Sequence, residues 1–120
     1  MGQGDTTNYS SPVQVGSLTD WQKVVVCEAH TVAVKQDNTL WTWGSNANYG
    51  MLGQNDTTSR SSPTQVGALT NWSIPSGGEE HSMVIKTDGT IWGFGKSGSG
   101  AIGDGTTTSR SAPVQVGSLT

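Results

Sequence analysis

The chain has 120 residues, of which 32% are hydrophobic and only 12% charged, and its formal net charge is −3 at pH 7. A length of this order suits one ordinary domain, and the low charge content argues against charge-expanded disorder. With only six lysines and arginines, a basic face for phosphates is not expected, so neither nucleic acid nor an acidic membrane surface is a predicted partner.

The first elements in chain order are a loop and four short strands. Residues 2–9 are polar, glycine-containing and aperiodic, which indicates a loop. Ser11–Val15 alternates behind a proline and predicts a strand at a sheet edge, where a missing N–H is tolerated. Three further β-rich runs predict strands at Trp21–Val26, Thr31–Lys35 and Thr39–Trp43. No segment shows the period and the end signals of a helix.

The last two of these strands are predicted to form a tight hairpin. Gln36–Asn38 joins them, and the equivalent Thr87–Gly89 contains Asp-Gly, the strongest short-range hairpin signal. In the second copy Pro75 replaces the strand residue Val24. We therefore expect the corresponding strand of the second copy to be shorter or bulged.

A repeat of about fifty residues organises the whole chain. Ser10–Thr19 returns as Ser61–Thr70 and again as Ser111–Thr120. Single residues recur 51 positions later, namely Trp21 as Trp72, His30 as His81, Trp41 as Trp92 and Trp43 as Phe94. A fixed period of this length means a repeat architecture. We divide the chain into repeat one (2–52), repeat two (53–102) and a partial third repeat (103–120).

The strand count of one repeat predicts the fold class. Four short antiparallel strands are the size of one propeller blade. Trp41 and Trp43 share one strand face, while Leu40 and Thr42 share the other. A sheet with apolar groups on both faces must be covered on both sides, as stacked blades are. The sequence therefore predicts an all-β protein of β-propeller blades, with about two blades and part of a third.

Motifs in both repeats carry a family resemblance. They are Gly78–Ser82, Ile85–Gly95, Gly100–Gly103 and Ser111–Pro113 in the second repeat, and Asp37–Gly44 and Gly50–Gly53 in the first. Over nearly the whole chain they strongly resemble the regulator of chromosome condensation repeat. That family usually builds a seven-bladed β-propeller, so the resemblance implies this fold. The uniform, Thr/Ser-rich variety is more similar to bacterial and bacteriophage members than to the animal protein.

The polar and reactive side chains within the repeats are interpreted as structural. His30 and His81 occupy equivalent positions that point the same way in different blades, so they would not converge on a metal. Each is predicted to bond a neighbouring backbone group. Cys27 stands where the family prefers glycine, lacks any nucleophile motif and is predicted to be a small buried side chain. The tryptophans at repeat positions are Trp21, Trp41, Trp43, Trp72 and Trp92.

The loops supply the candidate binding residues, because recognition residues concentrate on loops of a rigid scaffold. The candidates for contact with a partner are Asn46, Asn48, Tyr49, Asp56, Arg60 and Arg110. Tyrosine and arginine are good recognition residues. The alternative is that each arginine bonds a neighbouring turn. No catalytic, cofactor or metal site is predicted, so the chain is not expected to be an enzyme.

Two full units cannot close a ring and would leave apolar faces and strand edges open. Two solutions are possible. Either further blades belong to a longer chain, or several copies assemble head to tail and the last segment of one chain supplies the edge strand of the next. The protein partner, if any, is not identified by the sequence.

The predicted function is a non-enzymatic propeller module for structural assembly and protein recognition. The repeat style favours a phage virion or an extracellular bacterial assembly, and no compartment is identified. One alternative is a binding inhibitor or regulator of a protein, because the family includes a nucleotide-exchange factor and an inhibitor of β-lactamase. A second alternative is a carbohydrate-binding module that uses exposed tryptophan or tyrosine.

Overall fold

The computed structural model describes residues 2–118, which contain eight strands in two four-stranded antiparallel sheets. Blade 1 comprises β1 (Trp21–Val26), β2 (His30–Lys35), β3 (Leu40–Gly44) and β4 (Arg60–Gln65). Blade 2 comprises β5 (Trp72–Gly77), β6 (His81–Lys86), β7 (Ile91–Gly95) and β8 (Arg110–Gln115). In each sheet the strands lie side by side in chain order. The predicted fold class, all-β blades of four antiparallel strands, is confirmed.

The fourth strand of each blade comes from the beginning of the following sequence repeat. β4 pairs with β3, and β8 pairs with β7. The strand predicted at Ser11–Val15 is wrong, since this first copy of the same sequence forms no strand. The reason is that β4 and β8 add to a hairpin that precedes them, and the described residues contain no hairpin before Ser11. The division at residues 52 and 102 stays a prediction about sequence units, and the sheets are out of phase with it.

Pro75 does not shorten its strand. β5 has six residues, as β1 has. The register shifts after Trp72 in β5 and in the same way after Trp21 in β1, which contains no proline. Of the two predicted outcomes, shortening is wrong, whereas an irregularity of the bulge type is present in β5 and is shared by β1, so Pro75 does not account for it. β5 is an edge strand of its sheet, where a proline removes no necessary ladder bond.

The predicted hairpins β2–β3 and β6–β7 are confirmed. In the first turn Asn38 takes a left-handed conformation, with φ of 64°. Asp37 Oδ1 accepts hydrogen bonds from the backbone N–H and the hydroxyl of Thr39, at 3.0 and 2.6 Å, and these bonds lower the pKa of Asp37. Thr39 Oγ1 in turn accepts the indole N–H of Trp41 at 2.7 Å. The second hairpin repeats this arrangement with Asp88, Gly89, Thr90 and Trp92.

The hydrophobic core lies between the two blades. We call the face of a blade that looks toward later parts of the chain its trailing face, and the opposite face its leading face. The trailing face of blade 1 packs on the leading face of blade 2. The cluster consists of Cys27, Val32, Val34, Leu40, Val66, Trp72, Val84 and Phe94.

The two outer faces lack a neighbouring sheet within residues 2–118. On the trailing face of blade 2, Ile74 and Ile91 are 48% and 40% exposed. On the opposite side of blade 1, Val24 and Val26 of β1 are 60% and 66% exposed. The strand-free segment 2–18 covers another part of that leading face, where Gly2 lies against Trp43. The described chain therefore has one complete interface between blades and two incomplete ones.

Candidate functional site

His30 and Ser82 join the two blades through a side-chain hydrogen bond. His30 Nε2 lies 2.8 Å from Ser82 Oγ, and both side chains are buried. His30 begins β2 and Ser82 lies near the beginning of β6, so the bond crosses the interface between blades. The prediction that His30 bonds a backbone group is therefore corrected, because its partner is a hydroxyl group of the next blade.

The pair of His30 and Ser82 has the residue types of a catalytic dyad but not the geometry of an active site. Burial, together with nearby His81, lowers the pKa of His30 to about 4, so its ring is neutral near pH 7. His30 Nδ1 has no hydrogen-bond partner among residues 2–118, so no carboxylate orients the ring. Ser82 is fully buried, out of reach of a substrate. The bond therefore serves to hold the blades together.

Cys27 lies in the same core, as predicted for a small buried side chain. Burial raises the pKa of its thiol, which keeps it protonated and poorly nucleophilic. Its sulfur fills the space beside Gly77 of blade 2, where a β-carbon would overlap Cys27 Sγ. The thiol is thus a packing element between the blades.

The leading face of blade 1 carries a cluster of tryptophan rings around one lysine. Trp21 and Trp41 meet edge to face with their ring centroids 6.0 Å apart, and Trp43 lies 5.8 Å from Trp21. Lys35 Nζ sits 4.1 Å from the Trp41 centroid, and 3.6 Å from a carboxylate oxygen of Asp20. A cation over an indole ring is worth about 0.5–2 kcal/mol, most when it is desolvated.

Blade 2 repeats this cluster on its own leading face. The centroids of Trp72 and Trp92 are 6.0 Å apart, and Lys86 Nζ lies 3.7 Å from the Trp92 centroid. Asn71 stands where blade 1 has Asp20, and burial lowers the pKa of Lys86. In both blades the lysine side chain lies over the tryptophan rings. These groups therefore pack against each other and do not offer an open ring face to a ligand.

Asn46 is fully buried and organises the loop that connects β3 to β4. Its amide nitrogen donates to the backbone oxygens of Asp56 and Thr58, at 3.0 and 3.1 Å, and its Oδ1 accepts the N–H of Leu52 at 2.8 Å. These bonds use the polar atoms of the side chain inside the loop. Asn46 is therefore removed from the surface that a partner could touch.

The two candidate arginines each hold the turn that precedes them. Arg60 Nη2 lies 2.7 Å from Asp56 Oδ2, and this bond lowers the pKa of Asp56. Arg110 Nε donates to Asp104 Oδ2 at 2.7 Å. Both contacts match the alternative considered from the sequence, that the arginines bond neighbouring turns. Their half-buried positions leave part of each guanidinium at the surface.

Asn48 and Tyr49 lie in the β3–β4 loop, and Tyr49 reaches the next blade. Asn48 is exposed and has a φ of 75°. The Tyr49 ring lies 4.9 Å from Lys96 Nζ, and Lys96 also pairs with Glu80, which raises the lysine pKa. We call Asn48, Tyr49, Glu80 and Lys96 the loop-tip patch. It is a composite surface, because blade 1 supplies two of its residues and blade 2 the other two.

Sequence reasoning missed the hydroxyl partner of His30 and the lysines that cover the rings. A signal for the first was present, since a hydroxyl residue follows histidine in both repeats, Thr31 in one and Ser82 in the other. Lys35 and Lys86 end equivalent strands, but nothing in their spacing indicates a contact with tryptophan. His81 lies half-buried on the trailing face of blade 2, with no sheet opposite it in the described part of the chain.

No metal-binding cluster of three or more His, Cys, Asp or Glu side chains occurs within residues 2–118. Over the same residues, no helix is long and apolar enough to cross a membrane.

The fold and the contacts described above define the class of protein. Two four-stranded sheets are stacked, side chains join them across their interface, and loops lie at their ends. This arrangement defines a propeller repeat module.

Comparisons with known proteins place this module in a family. Models of the regulator of chromosome condensation (RCC1) repeat match residues 37–85 and residues 23–50. The chain belongs to this family of repeats, as the resemblance in the sequence predicted. Repeats of this type are generally non-enzymatic binding or regulatory modules.

Relatives and solved structures agree with this assignment. The ultraviolet-B receptor UVR8 of Arabidopsis thaliana is 36% identical over 99 residues, which are 79% of this chain and 22% of UVR8. The probable E3 ubiquitin-protein ligase HERC4 of Homo sapiens is 31% identical over 83% of this chain and 10% of its own length. Yeast RCC1 (Prp20), solved in complex with Kap60, has a TM-score of 0.74 and 18% identity over 85% of this chain and 26% of that one. The chain thus spans about a quarter or less of these proteins.

Proposed function

We propose that the chain is a non-enzymatic β-propeller module for structural assembly and protein recognition, completed by further blades. The observation that supports recognition is the loop-tip patch. It places a tyrosine, a residue type enriched in binding hot spots, beside an exposed amide on loops carried by two stacked blades. Asp56 and Arg60 lie where the β3–β4 loop ends, and Arg110 lies where the β7–β8 loop ends. The exposed parts of their side chains add to the proposed binding surface.

A protein is the class of partner that these features favour. The complex of yeast RCC1 with Kap60 supports that class, although Kap60 itself is a partner of that protein. An inhibitor or regulator of a protein would use the same patch, so this alternative is a special case of the proposal. Carbohydrate binding through tryptophan has less support, because Trp43 and Trp72 are only 5% and 2% exposed and lysine side chains lie over the rings of Trp41 and Trp92.

Affinity purification with a matched pair of tyrosine variants tests the recognition role. The immobilised chain is incubated with lysate of the producing cells, and retained proteins are quantified by mass spectrometry. We expect Tyr49→Ala to lose a specific protein that both wild type and Tyr9→Ala retain. Tyr9 is the control because it is 47% exposed and bonds only its own loop, through Asp5. A retained set that is identical for wild type and Tyr49→Ala would contradict recognition through this patch.

The setting of the module is a second part of the proposal. Uniform repeats rich in serine and threonine, with few charges, support a component of a phage virion or of an extracellular bacterial assembly. Proteomics of purified particles and of culture supernatant tests it. Enrichment of this chain in either fraction relative to cell lysate is expected, whereas its confinement to the lysate would contradict this setting.

A further inference from the structure

One short turn occurs three times in the chain, as Gly2–Gly4, Gly53–Asn55 and Gly103–Gly105. The first and last residues of each copy have positive φ angles, 73° and 83°, 66° and 61°, and 78° and 82° respectively. This backbone conformation favours glycine. The three segments therefore share one local structure as well as a similar sequence.

The first two copies of the turn make equivalent contacts with an aromatic side chain. A β-carbon on Gly2 would lie 2.8 Å from Trp43 Nε1, and one on Gly53 would lie 3.1 Å from Phe94 Cδ2. Trp43 and Phe94 are equivalent residues on the leading faces of blade 1 and blade 2. Each glycine thus allows the backbone to lie directly on an aromatic side chain of the blade that follows it.

A backbone hydrogen bond completes each of these contacts. Gly4 N–H donates to the carbonyl of Ser61 at 2.9 Å, and Asn55 N–H donates to the carbonyl of Ser111 at 2.7 Å. Ser61 and Ser111 are equivalent residues in β4 and β8. The turn therefore packs on the aromatic residue and donates a hydrogen bond to the outer strand of the following blade.

The third copy, Gly103–Gly105, makes neither contact. The nearest atom to a β-carbon on Gly103 would be Val116 Cγ1 at 3.3 Å, and nothing lies within 4 Å of one on Gly105. No aromatic side chain lies over this turn in the described part of the chain. The turn has the binding conformation without the surface that its two counterparts bind.

The trailing face of blade 2, beside this turn, is also uncovered within residues 2–118. His81, Met83 and Ile85 are partly exposed there, next to exposed Ile74 and Ile91. The blade 1 equivalents of His81, Met83, Ile85 and Ile91, which are residues 30, 32, 34 and 40, are all 2% exposed or less because blade 2 covers them. The equivalent of Ile74, Lys23, stays exposed at the edge of that interface. The interface within the chain is thus a template for what fits on the trailing face of blade 2.

We propose that the occupant is a second copy of this chain, which seats the leading face of its blade 1 on that trailing face. Gly103–Gly105 of the first copy then lies on Trp43 of the second. Since Gly2–Gly4 of the second copy holds the same place, segment 2–18 must leave it. This segment is therefore a removable cover that competes with residues 103–118 of another copy. The inference rests on the proposed assembly role and adds a mechanism of exchange to it.

Two details of blade 1 agree with a second copy as the occupant. Thr31 follows His30 as Ser82 follows His81, so it offers a hydroxyl group to His81 of another copy. A cleft of about 440 Å³ lies between segment 2–8 and blade 1, lined in part by Thr31, Trp43 and Ser45. Ser45 is equivalent to Lys96, which Tyr49 covers in the complete interface. The cleft thus has room for the tip of a β7–β8 loop.

Sedimentation equilibrium of the full chain tests the exchange, with matched glycine variants. Gly2→Val and Gly103→Val place the same side chain at the equivalent positive-φ position of two copies of one turn, and only at Gly2 does it also meet an aromatic ring of the same chain. We expect Gly2→Val to strengthen self-association at least tenfold by loosening the cover, and Gly103→Val to weaken it at least tenfold. Ile85→Asp should weaken it as strongly, whereas Ala68→Asp, on an exposed connection, should leave it unchanged. Circular dichroism confirms folding of each variant.

The outcomes separate the exchange from the broader assembly role. If Ile85→Asp abolishes association but neither glycine variant changes it, the copies assemble through the trailing face and the exchange is wrong. Association that survives Ile85→Asp excludes this face and overturns the exchange, and it assigns assembly to another surface of the chain. A chain that stays monomeric at millimolar concentration, with and without Gly2→Val, overturns both the exchange and the assembly role. If Gly2→Val fails to fold, Gly103→Val and Ile85→Asp still decide between these outcomes.

Discussion

Blade 1 and blade 2 present nearly the same trailing face to different surroundings. Leu40 is fully buried in blade 1, whereas its equivalent Ile91 is 40% exposed in blade 2. Val34 is fully buried and its equivalent Ile85 is only partly so. The residue types are matched in size and polarity. The difference comes from the neighbouring blade, which covers one face and is absent from the other in residues 2–118.

This comparison shows what hydrophobic periodicity reports. Alternation along a strand identifies the apolar residues that must be buried, but it does not identify the part of the protein that buries them. The stabilising free energy of each apolar residue depends on the area that it removes from water, about 25 cal/mol per Å². Equivalent substitutions in the two blades should therefore have very different effects.

The largest difference is expected for a charge placed on each face. Val34→Asp buries a carboxylate in the core between blades and should lower the free energy of unfolding by about 4 kcal/mol or more. Ile85→Asp leaves its carboxylate partly in water and should lower it by less than about 1 kcal/mol in the monomer. Urea denaturation followed by tryptophan fluorescence measures both. Equal losses would mean that the two faces are covered alike.

Truncation of the equivalent leucine and isoleucine should give the next largest difference. Leu40→Ala creates a cavity in the core and should destabilise the chain by about 3 kcal/mol. Ile91→Ala removes a side chain that is already 40% exposed, so a loss below about 1 kcal/mol is expected. The same denaturation experiment applies at a dilution where the chain is monomeric. A loss for Ile91→Ala as large as that for Leu40→Ala would be inconsistent with an open face.

Acid should destabilise the covered interface through His30. The pKa of His30 is about 4 in the folded chain and about 6.5 when unfolded, so the unfolded chain binds the extra proton between these values. Stability is complete above pH 6.5 and falls as the pH drops through this window, by about 1.4 kcal/mol per unit. From pH 7 to pH 5 the loss should be about 2 kcal/mol.

Two glutamine variants identify the histidine responsible. His30→Gln has no titrating ring and should lose most of this pH dependence, whereas His81→Gln should retain it. The measurement is the free energy of unfolding from urea titrations at half-unit pH steps. A pH slope that His30→Gln leaves intact would assign the effect to other groups.

The smallest effect is expected at the contact between Gly77 and Cys27. Gly77→Ala would place its methyl group against Cys27 Sγ, and this overpacking should destabilise the chain by about 1 kcal/mol. Gly98→Ala is the control, because no atom lies within 4 Å of its added β-carbon. Thermal unfolding by circular dichroism compares the two. If Cys27→Ala does not rescue Gly77→Ala, the thiol is not the obstacle.

The sequence predicted most of the fold because its signals are local. The Asp-Gly turn, the alternating runs and the fifty-residue period each depend on nearby residues, and hairpins β2–β3 and β6–β7 were confirmed. Ser11–Val15 failed as a strand because strand formation there requires a partner hairpin, which local sequence cannot supply. Its copies in β4 and β8 have that partner.

The site was less predictable, since its contacts join residues far apart in the chain. His30 meets Ser82, and Tyr49 meets Lys96, only because two blades stack. Asn46 has a composition typical of a binding loop, yet its side chain is used entirely within that loop. Burial of a polar side chain by its own loop leaves no mark in the spacing of residues, so sequence reasoning could not separate Asn46 from exposed Asn48.

The offset between sequence repeat and sheet has a consequence for how genes of this kind change length. Repeat two contributes β4 to blade 1 and β5–β7 to blade 2, so a unit of about fifty codons gained or lost in this register leaves the remaining strands correctly paired. Recombination between the near-identical stretches that encode Ser10–Thr19, Ser61–Thr70 and Ser111–Thr120 would add or delete such a unit in phase. A unit exchanged in this way would keep four antiparallel strands in each remaining sheet.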